Sequence, residues 1–281
     1  MGCKKIGNYF FTASFFKYER ELSMRILLVG DIFGTCGMEY IKYTLKDLVY
    51  RENIDFVIAN GENASGGNGL SYADYDTLMD IGVDVITMGN HTFGRKDIIK
   101  IFENQTNVIR PVNYPKGTCG EGSTVVNCKG KRIGVINAMG RVNVMNIDCP
   151  FTACDREIER LKGKTDIIIV DFHAEATSEK KAMGYYLDGR VTCVFGTHTH
   201  VETADNCILP RGTAYITDIG MTGAIDSVLG VRSDVIIDRF ITALPQKFEH
   251  ADGRAKLCGA ILTVDDDTNR AISLELVKES E

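Results

Sequence analysis

The chain is organised around Thr87-Met88-Gly89-Asn90-His91-Thr92, a stretch that closes an apolar run beginning at Val83. An apolar run of this length predicts a buried parallel strand that ends at Gly89. Asn90 and His91 then lie at the carboxyl end of that strand, where open α/β sheets gather their chemistry. An amide oxygen can bind a metal and an imidazole can act as an acid or base. Taken alone, the stretch is equally typical of a polar turn.

Apolar runs and helical segments alternate on both sides of this stretch. Strands are predicted at 26–29, 55–59, 83–88, 166–170 and 191–195, with helices at 38–50, 72–81, 96–104, 151–162 and 178–187. Ser71 is a suitable N-cap for the second helix, and Asp74 occupies the reciprocal capping-box position. Two hairpins, 123–128 with 132–137 and 257–264 with 271–277, are added later. The pattern predicts an α/β fold, a layered sandwich of two β-sheets flanked by helices.

Composition bounds the class of protein. The 281 residues are 44% hydrophobic and carry a net charge of -6, which is typical of a soluble globular protein and argues against tight, sequence-blind nucleic-acid binding. Nine cysteines without a C-x-x-C pair indicate a reducing cytoplasm. No apolar run is long enough to span a membrane. Residues 1–23 are expected to be a disordered or loosely packed extension, and 24–281 a single domain.

Polar residues with metal-binding or acid–base chemistry follow five of the predicted strands. They are Asp31, Glu62 with Asn63, Asn90 with His91, His173, and His198 with His200. Each has an ordinary structural reading, such as a helix cap for Asp31, loop polarity for Glu62 or a satisfied core histidine for His173. Those readings would have to hold at five strand ends at once. The remaining histidine, His250, lies in a charged loop and is read as solvated.

The number of candidate ligands predicts more than one metal. Two carboxylates, two amides and three or four imidazoles suit two metals about 3.5–4 Å apart, the arrangement used for phosphoester hydrolysis. One carboxylate must then bridge the metals, and Glu62 is central among the strand ends. Nitrogen and oxygen ligands without thiolate suit Mn or Fe at least as well as Zn.

These motifs resemble the calcineurin-like metallophosphoesterases, which read D-x-H, G-D, G-N-H-[DE], a lone His and G-H-x-H. The chain departs from that pattern where Phe33 replaces the first His, Gly61-Glu62-Asn63 replaces Gly-Asp, and Thr92 replaces the third-motif acid. The YmdB-type subfamily shares these departures. Its motifs are matched by residues 30–34, 59–69, 89–93, 171–175 and 196–201, and the resemblance covers essentially the whole chain after Ser23.

The resemblance implies how the ligands divide. One metal would take Asp31, Glu62, Asn63 and His200, and the other would take Glu62, Asn90, His173 and His198. His91 would not be a permanent ligand and would lie beside the scissile phosphate as the catalytic residue. Asp171 and Glu175 flank His173 and are expected to orient it or its neighbours.

The function implied is a phosphodiesterase with two iron or manganese ions that hydrolyses small diesters such as 2′,3′-cyclic nucleotides. The expected step is in-line attack by a hydroxide held between the metals, with His91 protonating or stabilising the leaving alkoxide. Short RNA ends are a further substrate expectation, and relatives suggest a homo-oligomer. Two alternatives stay open: a phosphomonoesterase or nucleotidase, and a metal-binding regulatory protein with little catalysis.

Overall fold

A computed structural model of the chain describes residues 23–280. The predicted extension, residues 1–23, lies outside the described residues apart from Ser23, the first residue of the first strand. No helix within 23–280 combines the length and the apolar character needed to cross a membrane. The eight cysteines in this part of the chain are all free thiols.

Fourteen strands form two sheets within residues 23–280. The first sheet contains β1 Ser23–Val29, β2 Asp31–Ile32, β3 Phe56–Asn60, β4 Val85–Thr87, β5 Val108–Ile109, β12 Met221–Ala224, β13 Ala255–Asp265 and β14 Ala271–Ser280. The second contains β6 Ser123–Cys128, β7 Lys131–Met139, β8 Ile167–His173, β9 Cys193–Thr197, β10 Cys207–Ile208 and β11 Ala214–Ile216. Their orders are β2-β12-β13-β1-β3-β4-β5, with β14 on β13, and β10-β11-β9-β8-β7-β6.

Six helices lie within residues 23–280, and the longer ones pack on the outer faces of the two sheets. They are α1 Gly34–Glu52, α2 Tyr72–Ile81, α3 Asp97–Asn104, α4 Pro150–Leu161, α5 Thr177–Leu187 and α6 Ser233–Thr242. β1, β3, β4 and β5 run parallel, as do β7, β8, β9 and β11. The carboxyl ends of the strands that precede the predicted ligands therefore meet at one edge.

Side-chain alternation along the strands builds the layers. Leu28 points into the core between the sheets, where it joins Ile169, whereas Leu27 points outward and packs with Leu45 of α1. Met183 of α5 lies in a third core on the outer face of the second sheet. The molecule is thus a four-layer α/β/β/α sandwich, and the predicted two-sheet α/β architecture is confirmed.

Two boundaries differ from the sequence-based prediction in ways that matter for the site. Helix α1 begins at Gly34 and not near residue 38, because Gly37 serves close packing and not a turn: a Cβ there would lie 2.4 Å from the Thr222 carbonyl oxygen. Strand β8 continues to His173, which pairs with Met139 of β7 and Thr197 of β9. His173 is therefore held by the sheet itself and not by a loop.

The predicted capping box on α2 is half formed. Ser71 Oγ accepts from the backbone N–H of Asp74 at 3.1 Å, as expected. The carboxylate of Asp74 accepts from Ser71 Oγ at 2.7 Å and does not reach back to the Ser71 N–H. That N–H donates instead to Ser65 Oγ at 2.6 Å, so the cap also fastens the loop after β3.

Candidate metal centre

All of the predicted ligands lie together at the shared carboxyl edge of the two sheets. The first sheet contributes residues that follow β1, β3 and β4, and the second contributes residues at the ends of β8 and β9. The members are Asp31, Glu62, Asn63, Asn90, His173, His198 and His200, of which the first three and His173 are buried. The topology thus brings five separate strand ends to one place.

One group of candidate ligands surrounds Glu62. Ligand atoms of Glu62, His173 and His198 lie within 4.8 Å of one another. His173 Nε2 is 3.0 Å from Glu62 Oε1 and 3.1 Å from His198 Nδ1. Asn90 presents its Oδ1 to the same nitrogen at 2.9 Å. Four donor atoms therefore converge on a space of the size that a single cation needs.

A second group surrounds Asp31, and Glu62 lies between the two groups. Asp31 Oδ1 is 3.7 Å from His200 Nε2, and His200 Nε2 is 3.3 Å from the amide nitrogen of Asn63. That amide nitrogen also donates to Glu62 Oε1 at 3.2 Å. A ligand role for Asn63 requires its amide oxygen in this position, which a half-turn of the amide provides.

His91 stands at the solvent side of the same cluster. Its backbone N–H donates to Glu62 Oε2 at 2.8 Å, and its Nδ1 lies 2.7 Å from Asn63 Oδ1. The side chain is 42% exposed, in contrast to 1% for Glu62. The contact with Asn63 holds the ring through Nδ1 and leaves Nε2 for a substrate.

Each of the three candidate imidazole ligands has its other ring nitrogen held by an acceptor. His173 Nδ1 lies 2.9 Å from Thr197 Oγ1, and His200 Nδ1 lies 3.1 Å from the Leu229 carbonyl oxygen. His198 Nε2 lies 3.3 Å from Glu175 Oε2. Such outer contacts fix the tautomer and direct the free lone pair of each ring toward the cluster, as in known metal sites.

The predicted orienting role of Asp171 and Glu175 takes a specific form. Glu175 contacts His198 and not His173. Asp171 acts through Thr197, whose hydroxyl donates to Asp171 Oδ1 at 2.7 Å and so must accept from His173 Nδ1–H. Thr197 was missed from the sequence, although it lies inside the G-T-H-T-H motif.

The two central carboxylates are buried without a cationic partner from Lys or Arg among the described residues. Burial raises the pKa of Asp31, but His200, whose Nε2 lies 3.7 Å from Asp31 Oδ1, outweighs burial through its charge and lowers the pKa overall. Burial raises the pKa of Glu62 as well, but His173 outweighs it, so the pKa of Glu62 is also lowered overall. Both side chains are therefore anionic, and Asp31 Oδ1 has no hydrogen-bond partner at all.

The neighbouring imidazoles respond to these charges in opposite directions. Burial lowers the pKa of His173, but the Glu62 carboxylate raises it to about 9 overall. Burial and the charge of His173 lower the pKa of His198 to about 4. The Asp31 carboxylate likewise raises the pKa of His200 against burial. Without a metal, protonated imidazoles thus offset part of the carboxylate charge, at the place where a cation would bind.

A buried ion pair behind the cluster supports the loop that carries His198 and His200. Lys180 Nζ donates to Asp218 Oδ2 at 2.5 Å and to the Thr197 carbonyl oxygen at 2.7 Å. Asp218 also accepts from the backbone N–H and hydroxyl of Thr199. Both histidines have positive φ, 97° and 63°, a conformation that L residues rarely adopt. No sequence pattern indicates this pair, because α5 and the residues around Asp218 have no unusual composition or spacing.

Two further positions explain features of the motifs. A Cβ at Gly89 would lie 2.3 Å from His173 Nε2, so only glycine fits between β4 and the cluster. Phe33, which replaces the first-motif histidine, packs edge-on against His200 with ring centroids 5.5 Å apart. His250 is exposed, but it also packs edge-on against Phe33 at 5.1 Å and is not merely solvated.

The residues present fit divalent metals. A buried carboxylate oxygen without a hydrogen-bond partner, two carboxylates without a Lys or Arg partner among the described residues, and three directed imidazoles form a donor set of nitrogen and oxygen atoms. Leaving this set empty of positive charge is costly, because buried charge must be paired.

Comparisons with known proteins agree with this chemistry. A family model described as YmdB-like protein matches residues 27–277. A protein of Bacillus subtilis named 2′,3′-cyclic-nucleotide 2′-phosphodiesterase is 47% identical over 254 residues, which cover 90% of this chain and 96% of that protein.

Solved structures extend the likeness to the fold. A structure described as a novel phosphatase from Mycoplasma pneumoniae superposes with a TM-score of 0.87 at 37% identity, covering 92% of this chain and 94% of that one. The NAD nucleotidase of Haemophilus influenzae, at 13% identity, has a TM-score of 0.60, covers 92% of this chain and 56% of its own, and shows the fold alone. The relatives' names also confirm the predicted enzyme class, phosphoric ester hydrolases. The chain therefore belongs to the YmdB-like family of metallophosphoesterases.

Proposed function

We propose that this protein is a phosphodiesterase that hydrolyses small diesters such as 2′,3′-cyclic nucleotides with two divalent metals. The observation that carries the proposal is the convergence of seven candidate ligands around two buried carboxylates that lack a cationic partner. The 47% identical relative named as a 2′,3′-cyclic-nucleotide 2′-phosphodiesterase supports the substrate class.

The proposed ligand set divides at Glu62. Asp31, Asn63 and His200 would hold one metal, Asn90, His173 and His198 would hold the other, and Glu62 would contact both. We propose iron or manganese, because the donors are nitrogen and oxygen without thiolate. When bound, such metals supply a nucleophile at neutral pH and neutralise charge on the transferring phosphoryl group.

The chain's own residues would orient and protonate the substrate. His91, fixed through Nδ1 by Asn63 and half-exposed, presents Nε2 to the leaving group. With the Asn63 amide turned as its ligand role requires, its NH2 group donates to Nδ1, so the ring proton is held at Nε2 and can pass to the leaving alkoxide oxygen as the ester bond breaks. Glu175, Thr197 and Leu229 keep the imidazole ligands in their required tautomers, so that no ring must reorient during turnover.

The test is hydrolysis of 2′,3′-cyclic AMP beside 5′-AMP by one Mn²⁺-loaded preparation. Turnover of the cyclic diester that disappears in Glu62→Gln is the expected result. Turnover of 5′-AMP alone would replace the proposal with a nucleotidase. A protein that binds metal but hydrolyses no member of a wide diester panel would favour the regulatory reading instead.

Three further expectations concern the cellular location, the oligomeric state and the action on RNA ends. We propose a cytoplasmic location on the ground of the free thiols. Homo-oligomerisation and action on RNA ends stay predictions, to be tested by light scattering and by the cleavage of short RNA.

A further inference from the structure

A cavity of about 320 Å³ opens beside His200. Its wall includes His200, Glu202, Lys256 and Lys278. Two larger cavities, of about 520 and 590 Å³, contain none of the predicted ligands. The cavity at His200 is therefore the one of these three that shares a side chain with the metal centre.

Strand register places the two lysines at the same edge of the molecule as the metal centre. Val29 at the end of β1 pairs with Gly259 of the antiparallel β13, so Lys256 lies beyond the carboxyl end of β1. There it pairs with Gly223 of β12, the strand that lies between β13 and Asp31 of β2. Lys278 of β14 pairs with Cys258, which shares a face of β13 with Lys256. That face continues into the core between the sheets, so the lysines line the cleft where the metal ligands also emerge.

The charges in the cavity do not cancel. Lys278 Nζ lies 3.5 Å from Glu202 Oε1, so these two side chains neutralise one another. Lys256 has no ion pair with any carboxylate among residues 23–280. Lys256 and Glu202 both lie close to the Cys258 thiol, whose pKa burial raises to about 11 while Lys256 opposes the rise. Two lysines thus face one carboxylate at the cavity wall and leave an excess of one positive charge, in a chain with a net charge of -6.

His200 separates the cavity from the metal centre. Its Nε2 faces Asp31 and Asn63, whereas its Nδ1 faces the Leu229 carbonyl oxygen, and Leu229 lines the cavity. A group bound in the cavity would therefore be a near neighbour of the reacting phosphate without contacting the metals directly.

We propose that this cavity is a subsite for a second phosphate group, so that the preferred substrate is a phosphodiester with an additional phosphate, such as a short oligonucleotide end. The inference rests on the proposed phosphodiesterase function and specifies its substrate. Lys256, on the wall of the cavity, supplies the positive charge that a phosphate group requires. A 2′,3′-cyclic mononucleotide carries one phosphate and would leave this subsite unused.

The experiment uses three substrates with the same scissile bond: the dinucleotide adenylyl-adenosine without a terminal phosphate, with a 5′-phosphate, and with a 3′-phosphate. For the Mn²⁺-loaded enzyme we expect one of the phosphorylated forms to have a KM about tenfold lower than the bare dinucleotide, the size of one charge-assisted hydrogen bond. The expected kcat is similar for both, because the subsite binds ground state and transition state alike.

Three variants assign the difference to the subsite. Lys256→Gln is expected to abolish the KM ratio between the phosphorylated and bare dinucleotides, and Lys256→Arg to retain it. Lys162→Gln removes the same charge from an exposed lysine that pairs only with Glu159, and should retain the ratio. Equal KM values in the wild type, or an unchanged ratio in Lys256→Gln, would overturn the proposal.

A binding measurement separates this proposal from the function on which it rests. Analogues with a methylene group in place of the scissile ester oxygen cannot be hydrolysed, and their Kd is measured by calorimetry. Tighter binding of a phosphorylated analogue that is lost in Lys256→Gln supports the subsite even if no diester is turned over. Equal binding of bare and phosphorylated analogues overturns it, whether or not 2′,3′-cyclic AMP is hydrolysed.

Discussion

Two sets of buried carboxylates lie at the same edge of the molecule and differ in what neutralises them. Asp218 is fully buried and pairs with the buried Lys180 at 2.5 Å. Asp31 and Glu62 are as deeply buried, but imidazoles are the only titratable cations near them among the described residues, and one oxygen of Asp31 has no hydrogen-bond partner. Asp218 thus has a lysine partner within the chain, whereas Asp31 and Glu62 have none among the described residues.

The difference teaches how to tell a structural ion pair from a cation-binding site. A carboxylate that already has its cation stabilises the fold only while both partners are present. Carboxylates that lack one repel each other and lose little when one of them is neutralised. Neutralising substitutions should therefore have contrasting effects at the two places.

The largest effect is expected for Glu62→Gln. Because Glu62 is the proposed ligand of both metals, this change should reduce kcat/KM by about a thousandfold or more. The metal-free variant should nevertheless lose only about 1–2 kcal/mol of unfolding free energy, less than Asp218→Asn, because removal of the repulsion with Asp31 offsets part of the lost interaction with His173. Activity assays and urea unfolding in EDTA measure the two quantities. Near-normal activity with both metals bound would make the bridging assignment wrong.

His91→Ala should come next in size. Loss of a general acid typically costs about 10²–10⁴-fold, and here it should appear in kcat. Metal content should stay at the wild-type value, because His91 is not a proposed ligand. A kcat close to that of the wild type, measured with a leaving group of high pKa, would remove the proton-donor role.

Asp218→Asn tests the buried Lys180–Asp218 ion pair. The change leaves the Lys180 ammonium buried without its partner, which should cost about 3–5 kcal/mol of unfolding free energy with or without metal. The double variant Lys180→Met with Asp218→Asn should recover part of that loss. If Asp218→Asn is as stable as the wild type in EDTA, the proposed difference between this ion pair and Glu62 is wrong.

Sequence patterns predicted the candidate metal centre better than the buried Lys180–Asp218 ion pair. Apolar runs end at Asp31, Glu62 and Asn90, so strand ends and ligand types can be identified without coordinates. Lys180 and Asp218, by contrast, are 38 positions apart on elements with no special pattern. Which side chains pair across layers depends on tertiary packing, and that is also why the role of Thr197 between Asp171 and His173 was not foreseen.

Thr197→Val should have a smaller effect. It keeps the side-chain shape but removes the hydroxyl that accepts from His173 Nδ1–H and donates to Asp171. Outer contacts of this kind typically change metal affinity by about 10–100-fold. Competition with a fluorescent chelator measures this loss. Thr197→Ser should retain most of the affinity, and equal affinities for Val and Ser would argue against the hydroxyl.

The smallest effect concerns pH. In the metal-free protein burial lowers the pKa of His173, but Glu62 raises it from 6.5 to about 9 overall. The protonated His173 therefore contributes stability below pH 6.5, and this contribution is lost as the pH rises through about 9. The pKa of His198 is lowered to about 4 by burial, so stability also falls from pH 6.5 toward 4. The Tm in EDTA should therefore be highest near pH 6.5 and drop by a few degrees on the alkaline side. That alkaline drop should be absent with Mn²⁺ and smaller in Glu62→Gln, where Asp31 still raises the pKa of His200. A drop that is unchanged in Glu62→Gln would exclude His173 as its origin.

The most direct test of the central claim is the number of Mn²⁺ ions bound per chain after loading and desalting, determined by mass spectrometry of the metal for wild type and Glu62→Gln side by side. Two ions per wild-type chain and fewer than one in Glu62→Gln are predicted, because Asp31 and Glu62 are the buried charges that lack a partner within the described fold. A wild-type chain that retains no metal, or a Glu62→Gln chain that retains two ions, would contradict the account.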